Sequence, residues 1–173
     1  MDNEEIRLLK KENTPDNVIE HCKAVCVKSM QIATNFNDCD KDLIQKGALL
    51  HDIGRSKTHG ITHAVVGVEI AKSYGYPQEV LNIIERHIGA GITESEAEKL
   101  GLPKKSYVPE TIEEKIVAHA DNLTSGSREV DLDFVIAKWQ RNIDESEDNI
   151  KRLIRLDEEL IKAFAAIYTT CTA

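Results

Sequence analysis

From Thr14 onward, apolar residues recur at three- and four-residue intervals between capping residues, and no stretch alternates apolar and polar side chains for long. That periodicity restricts the chain to an all-α fold built from short helices and short joints. "TPDNVIEHCKAVCVKSMQIATNF" opens with Thr14 as a cap and Pro15 in the first turn, then sets Val18, Cys22, Val25, Cys26 and Ile32 along one stripe. "KDLIQKGALLH" follows Asp38 and Asp40, either of which can cap it, and Thr62 can cap "HAVVGVEIAKSY", which stops at Gly75. Pro77 starts "PQEVLNIIERH", "TESEAEKLG" reads as a small capped helix, and Thr111 with Glu114 forms a capping box ahead of "IEEKIVAHADNL". "TSGSRE" reads as a loop, followed by helices around "DLDFVIAKWQ" and through "NIKRLIRLDEELIKAFAAI".

At 173 residues the chain suits one domain, with core motifs in 14–130 and terminal helices in 131–173. Ile150, Leu153, Ile154, Leu160, Ile161, Phe164 and Ile167 give the last helix more apolar surface than a solvated tail needs. It therefore packs on the core or meets a second copy of the chain in a homodimer.

A formal net charge of −8 speaks against a nucleic-acid polymer as partner, since binding one requires a basic stripe. A small anionic substrate remains open if bound cations neutralise its site. No apolar run approaches the roughly 20 residues that span a bilayer, and "MDNEE" lacks the layout of a signal peptide, so the expectation is a cytoplasmic protein with no membrane partner. Cys22, Cys26, Cys39 and Cys171 show no zinc spacing and read as small buried residues.

The polar residues within this helical pattern carry the chemistry. "GALLHDIGR" ends an apolar run in His51 and Asp52, side by side where an unpartnered polar group is costly. His21, His63, His87 and Asp121 occupy comparable helical positions, giving four imidazoles and two carboxylates without a thiolate. That donor set suits divalent transition ions, iron or manganese foremost, with zinc, nickel, cobalt or magnesium also able to occupy it.

The ordered set His21, His51–Asp52, His63, His87 and Asp121, with "HDIG" at 51–54, resembles the HD-domain superfamily of metal-dependent phosphohydrolases. The resemblance runs from about His21 to Arg128 and implies an all-α helical bundle. It also implies two metals: His21, His51, Asp52 and Asp121 would hold one ion, and Asp52 would bridge to a second held by His63 and His87. Asp52 and His51 would then be the catalytic pair, acting with a hydroxide that bridges the ions and attacks phosphorus. The chain is similar to the small hydrolases of symmetrical diadenosine tetraphosphate in its ligand order, in Gly67, and in the glycine turn before Arg128, although Ser127 separates Gly126 from that arginine.

The implied function is hydrolysis of a phosphoester or phosphoanhydride bond in a nucleotide-like molecule, a dinucleoside polyphosphate among the candidates. The alternatives are a nucleotidase or cyclic-nucleotide phosphodiesterase, and a metal-binding sensor without turnover. Arg55, Lys57 and Arg128 are candidate phosphate contacts, weighed against ordinary surface charge. His59 reads as a solvated loop residue, His119 lies on another helical face from Asp121, Arg86 as a salt-bridge partner, and Trp139 as core or interface.

Overall fold

The computed structural model describes residues 3–142 and 147–170, with side chains at 3–141 and 147–161. Cys171 and the side chains of Phe164 and Ile167 lie outside the described residues. The elements are α1 (Glu4–Lys11), α2 (Asp16–Ala33), α3 (Lys41–Leu50), a single 3-10 turn (Ile53–Ser56), α4 (His63–Ser73), α5 (Gln78–Arg86), α6 (Glu94–Lys99) and α7 (Ile112–Asn122). A hairpin of β1 (Thr124–Ser125) and β2 (Arg128–Glu129) precedes α8 (Leu132–Asn142) and α9 (Glu147–Thr170). The all-α expectation holds, and the segment expected as a loop is this two-residue ladder, turned at Gly126 and Ser127.

Helix starts follow local chemistry. Asp40 Oδ1 accepts from the Leu43 N–H at 3.0 Å and Thr111 Oγ1 from the Glu114 N–H at 3.3 Å. Two expected caps are corrected: Thr14 is buried with its hydroxyl unpartnered among the described residues, because Pro15 itself occupies the cap of α2, and Thr62 makes no side-chain cap to α4. The Thr111 box is also only half formed. Glu114 Oε2 accepts from the Glu110 N–H at 2.7 Å and from Arg86 Nη1 at 2.9 Å instead of turning back to Thr111. The complete capping box belongs to α6, where Thr93 and Glu96 bond reciprocally.

Two apolar clusters meet along α2 and α3. Ile6, Leu9, Ile19, Cys22, Leu50 and Ile84 gather on the α1 side, while Val25, Ile44, Ile83, Ile116 and Leu153 gather on the α7 and α9 side. Leu153, Leu156 and Leu160 of α9 are buried there, whereas Ile161 is 58% exposed. Cys22, Cys26 and Cys39 are free thiols. Among the described residues, no helix is long and apolar enough to cross a membrane.

Candidate metal centre

Helix ends build the site. His51 follows the last residue of α3, His63 opens α4, His87 follows α5, and Asp121 lies in the last turn of α7, with His21 supplied from within α2. Three of the histidines are oriented by one local device. His51 Nδ1 donates to the Ala48 carbonyl at 2.7 Å, His63 Nδ1 to Gly60 at 2.8 Å and His87 Nδ1 to Ile84 at 2.8 Å, each three residues back. For His51 and His87 that acceptor is a carbonyl in the last turn of a helix, a group the helix itself leaves without a donor. His21 has no such neighbour and donates from Nδ1 to the Gly126 carbonyl across the hairpin, at 2.7 Å.

A carbonyl can only accept, so these four bonds fix the proton of each neutral ring on Nδ1 and leave a lone pair on every Nε2. The four lone pairs converge on two carboxylates. His63 and His87 Nε2 lie 3.1 and 3.5 Å from Asp52 Oδ1, and His51 and His21 Nε2 lie 3.8 and 4.0 Å from Asp52 Oδ2. Asp121 Oδ1 stands 2.9 Å from His21 Nε2 and 3.6 Å from His51 Nε2. Asp52 thus divides the histidines between its two oxygens.

These are acceptors facing acceptors in a buried place. His51, Asp52, His63 and His87 are each under 5% exposed, and among the described residues His51 Nε2 and Asp52 Oδ1 have no hydrogen-bond partner. Such an arrangement costs free energy unless something positive lies between the groups. Ligands about 2.1 Å from one ion sit roughly 3 Å from each other, close to the spacing of the His63, His87 and Asp52 atoms. The residues therefore fit divalent cations, and two ligand groups, His21–His51–Asp121 and His51–Asp52–His87, have their donor atoms within 4.8 Å of one another.

Electrostatics prepare the same role. Burial lowers the His51 imidazole to about 4, overcoming Asp52 and Asp121, so the ring is neutral at pH 7 with its lone pair free. His21 differs: burial opposes its protonation, but the bond between its Nε2 and Asp121 Oδ1 at 2.9 Å and the charge of Asp121 outweigh it and raise that ring, so a cation must displace a proton there more than at His51. Burial alone would raise the Asp52 carboxyl, yet His51, His63 and His87 hold it far below the usual carboxylate range. A proton entering the cluster goes to an imidazole, not to Asp52.

The basic candidates separate. Arg55 is held by its Nε–H to Asp52 Oδ2 at 2.6 Å and lines a cleft of about 270 Å³ that opens onto His21, Asp52 and Asp121. Lys57 turns to Glu12, 3.1 Å away, and Arg128 is exposed on β2. His59 is exposed, and His119 faces Asp157 of α9 at 3.0 Å. The far wall of the cleft is α8, with Phe134, Lys138 and Trp139. Sequence reasoning missed Phe134 and Lys138; their four-residue spacing on one helix was the available signal.

The two glycines of this region have steric reasons. A β-carbon on Gly54 would lie 1.9 Å from the His63 carbonyl oxygen and 2.7 Å from the Gly67 nitrogen, so "HDIG" must end in glycine for the 3-10 turn to lie against α4. Gly67 completes that contact, with its own β-carbon position 2.9 Å from Ile84 and 3.3 Å from the Gly54 nitrogen.

The profile of the HD domain matches residues 18–126. An uncharacterized protein of Methanocaldococcus jannaschii is 49% identical over 149 residues, covering 84% of this chain and 88% of its own length. A tRNA (cytidine(56)-2'-O)-methyltransferase of Picrophilus torridus is also 49% identical over 149 residues, but these are 86% of this chain and only 43% of that protein, so the chain spans less than half of that relative. The HD domain of the L. monocytogenes phosphodiesterase PgpH, solved in complex with cyclic-di-AMP, superposes with a TM-score of 0.56 at 20% identity, over 94% of this chain and 97% of that one. The profile spans five of the six candidate ligands in one stretch from α2 to α5 and reaches the sixth, Asp121, near its end, so the chain belongs to the HD domain family.

Proposed function

We propose that the chain is a metal-dependent phosphohydrolase that cleaves a phosphoester or phosphoanhydride bond of a nucleotide-like substrate. One observation carries this reading: four imidazoles, each with its proton tied to a backbone carbonyl, aim their lone pairs at the carboxylates of Asp52 and Asp121. Family membership supports it, as does the likeness in fold to a phosphodiesterase domain.

His21, His51, Asp52 and Asp121 would hold one ion, and Asp52, His63 and His87 the other. Divalent ions so bound supply Lewis-acid polarisation of a phosphoryl oxygen and activation of a water for in-line attack. Asp52 would serve both ions, because its oxygens face separate histidine groups. The backbone carbonyls keep each ring in the tautomer that ligation needs. Arg55, one-third exposed at the cleft, is placed to take a phosphate oxygen. With Lys57 engaged by Glu12 and Arg128 outside the cleft lining, we assign the phosphate contact to Arg55 first. We read 1–173 as one domain in which α9 closes the core through Leu153, Leu156 and Leu160.

The test is phosphate-ester hydrolysis by the full chain loaded with manganese or iron, across dinucleoside polyphosphates, mononucleotides and cyclic dinucleotides. Turnover of one class, abolished by Asp52→Asn together with loss of metal, is the expected result. Fully metallated protein that is inert on all three classes would overturn the reading in favour of a non-catalytic metal-binding protein.

A further inference from the structure

The wall of the cleft opposite the metal centre lies beyond residue 126, where the family match ends. It is α8, and its register is fixed at the start. Asp131 Oδ1 accepts from the Phe134 N–H at 2.8 Å, which sets the first turn immediately beside the cleft. Two pairs of residues four apart then define adjoining faces. Val135 and Trp139 turn inward: Val135 is buried, and the indole lies against Gly89, where a β-carbon would stand 3.4 Å from Trp139 Cη2 on a backbone with φ of +57°. Phe134 and Lys138 line the same cleft but stay exposed, Phe134 at 44%.

That face joins two unsatisfied features. Phe134 is a large apolar ring given to water and absent from the core clusters, and among the described residues Lys138 has no ion-pair partner. A nucleobase would cover the ring, and an anionic phosphate would pair with the ammonium. The cleft, at about 270 Å³, falls just below the roughly 300–1,000 Å³ of drug-sized ligand sites, which suits no more than one nucleotide unit. An acidic chain also repels a long polyanion.

We infer that α8 is the substrate-selecting wall of this site: Phe134 stacks on the base of a nucleoside phosphate and Lys138 takes one of its phosphate oxygens, across the cleft from Arg55. The inference rests on the phosphohydrolase reading for the direction in which the phosphate points. It adds that the substrate carries an unpaired base, and that base-free phosphoesters are poorer ligands. Trp139 forms the fixed floor beside the stacking ring and is not itself the platform.

Trp139 is the only tryptophan of the chain and lines this cleft, so its emission reports occupancy without turnover. The experiment titrates the full chain with adenosine 5'-monophosphate and with ribose 5-phosphate, in wild type, Phe134→Ala, Phe134→Tyr and Lys138→Gln. Wild type should bind the nucleotide about tenfold more tightly than the sugar phosphate, the scale of one base stacked on one ring. Phe134→Ala should erase that preference, Phe134→Tyr should restore it, and Lys138→Gln should weaken both ligands by a similar factor. Equal affinities in wild type, or a preference that survives Phe134→Ala, would overturn the inference. A chain that hydrolyses phosphoesters yet shows no base preference keeps the proposed function and loses this wall, whereas a base preference without hydrolysis does the reverse.

Discussion

His63 and His87 bring their Nε2 atoms to 3.0 Å of each other while each spends its ring proton on a carbonyl three residues back. Two lone pairs at that separation repel, and Asp52 Oδ1 beside them adds a third acceptor. A divalent cation held by His63, His87 and Asp52 would relieve this repulsion. Elemental analysis of chain purified without added metal or chelator should therefore find about two equivalents, falling to about one in His63→Ala, because Asp121, His21 and His51 still serve the other ion. One equivalent or fewer in wild type, unchanged by the substitution, would remove the second ion.

Gly54 makes a separate prediction about the same histidine. Adding one methyl group there would place it 1.9 Å from the His63 carbonyl oxygen, against backbone that cannot turn aside. Gly54→Ala should lower stability by about 3 kcal/mol, the upper range for overpacking, and should also reduce metal content by displacing His63. Urea unfolding alongside elemental analysis reads both. A variant as stable and as metallated as wild type would show that the turn can move off α4.

Much of the site was legible in the sequence because ligand order and helix ends coincide. His51, His63, His87 and Asp121 stand at helix ends, so a reading of where helices start and stop also brought out these candidate ligands. The pairing of His21 with the hairpin was not legible, since it depends on the Gly126 carbonyl, 105 residues away. Local competition explains the missed caps: Pro15 took the position assigned to Thr14, and Arg86 together with the Glu110 N–H drew Glu114 from the capping box. The α8 wall stayed hidden because a helix face shows spacing in sequence, while the cleft it borders is assembled only when residues of α8 come to line it with His21 of α2 and Asp121 of α7.

Glu114 is 3% exposed and joins α7 to α5 through Arg86 Nη1 at 2.9 Å, while also accepting the Glu110 N–H. Removing it leaves the Glu110 N–H without its acceptor and takes one of two carboxylates from the half-buried Arg86 guanidinium. Glu110, 2.9 Å from the same Nη1, still pairs with the arginine, so Glu114→Ala should cost about 2–3 kcal/mol, below the roughly 3–5 of a fully broken buried pair. Glu114→Gln should cost less, because the amide oxygen can keep one acceptor in place. Equal destabilisation by the two variants in urea unfolding would show that the carboxylate's charge, and not its shape or one retained acceptor, is what α5 and α7 share.

Glu96 gives the chain an acid-sensitive tie between α6 and α9. Its carboxylate accepts from the Thr93 N–H at 2.7 Å and from Arg152 Nη2 at 2.8 Å. Burial pushes this carboxyl up, but the Thr93 N–H and the Arg152 guanidinium outweigh it and hold it below its ordinary value of 4.5. A folded-state value below the unfolded one means that the unfolded chain binds the proton first as acid is added. The stabilisation is then complete at pH values above 4.5 and is lost as pH falls through the lower folded-state value. Thermal melts of wild type and Glu96→Gln should accordingly differ by a constant amount near neutrality, about 1 kcal/mol for a partly exposed pair, with the gap closing below pH 4.5. A gap that is the same at pH 3 and pH 7 would mean that Glu96 acts through its cap geometry alone, and that α9 is held to α6 by packing and not by charge.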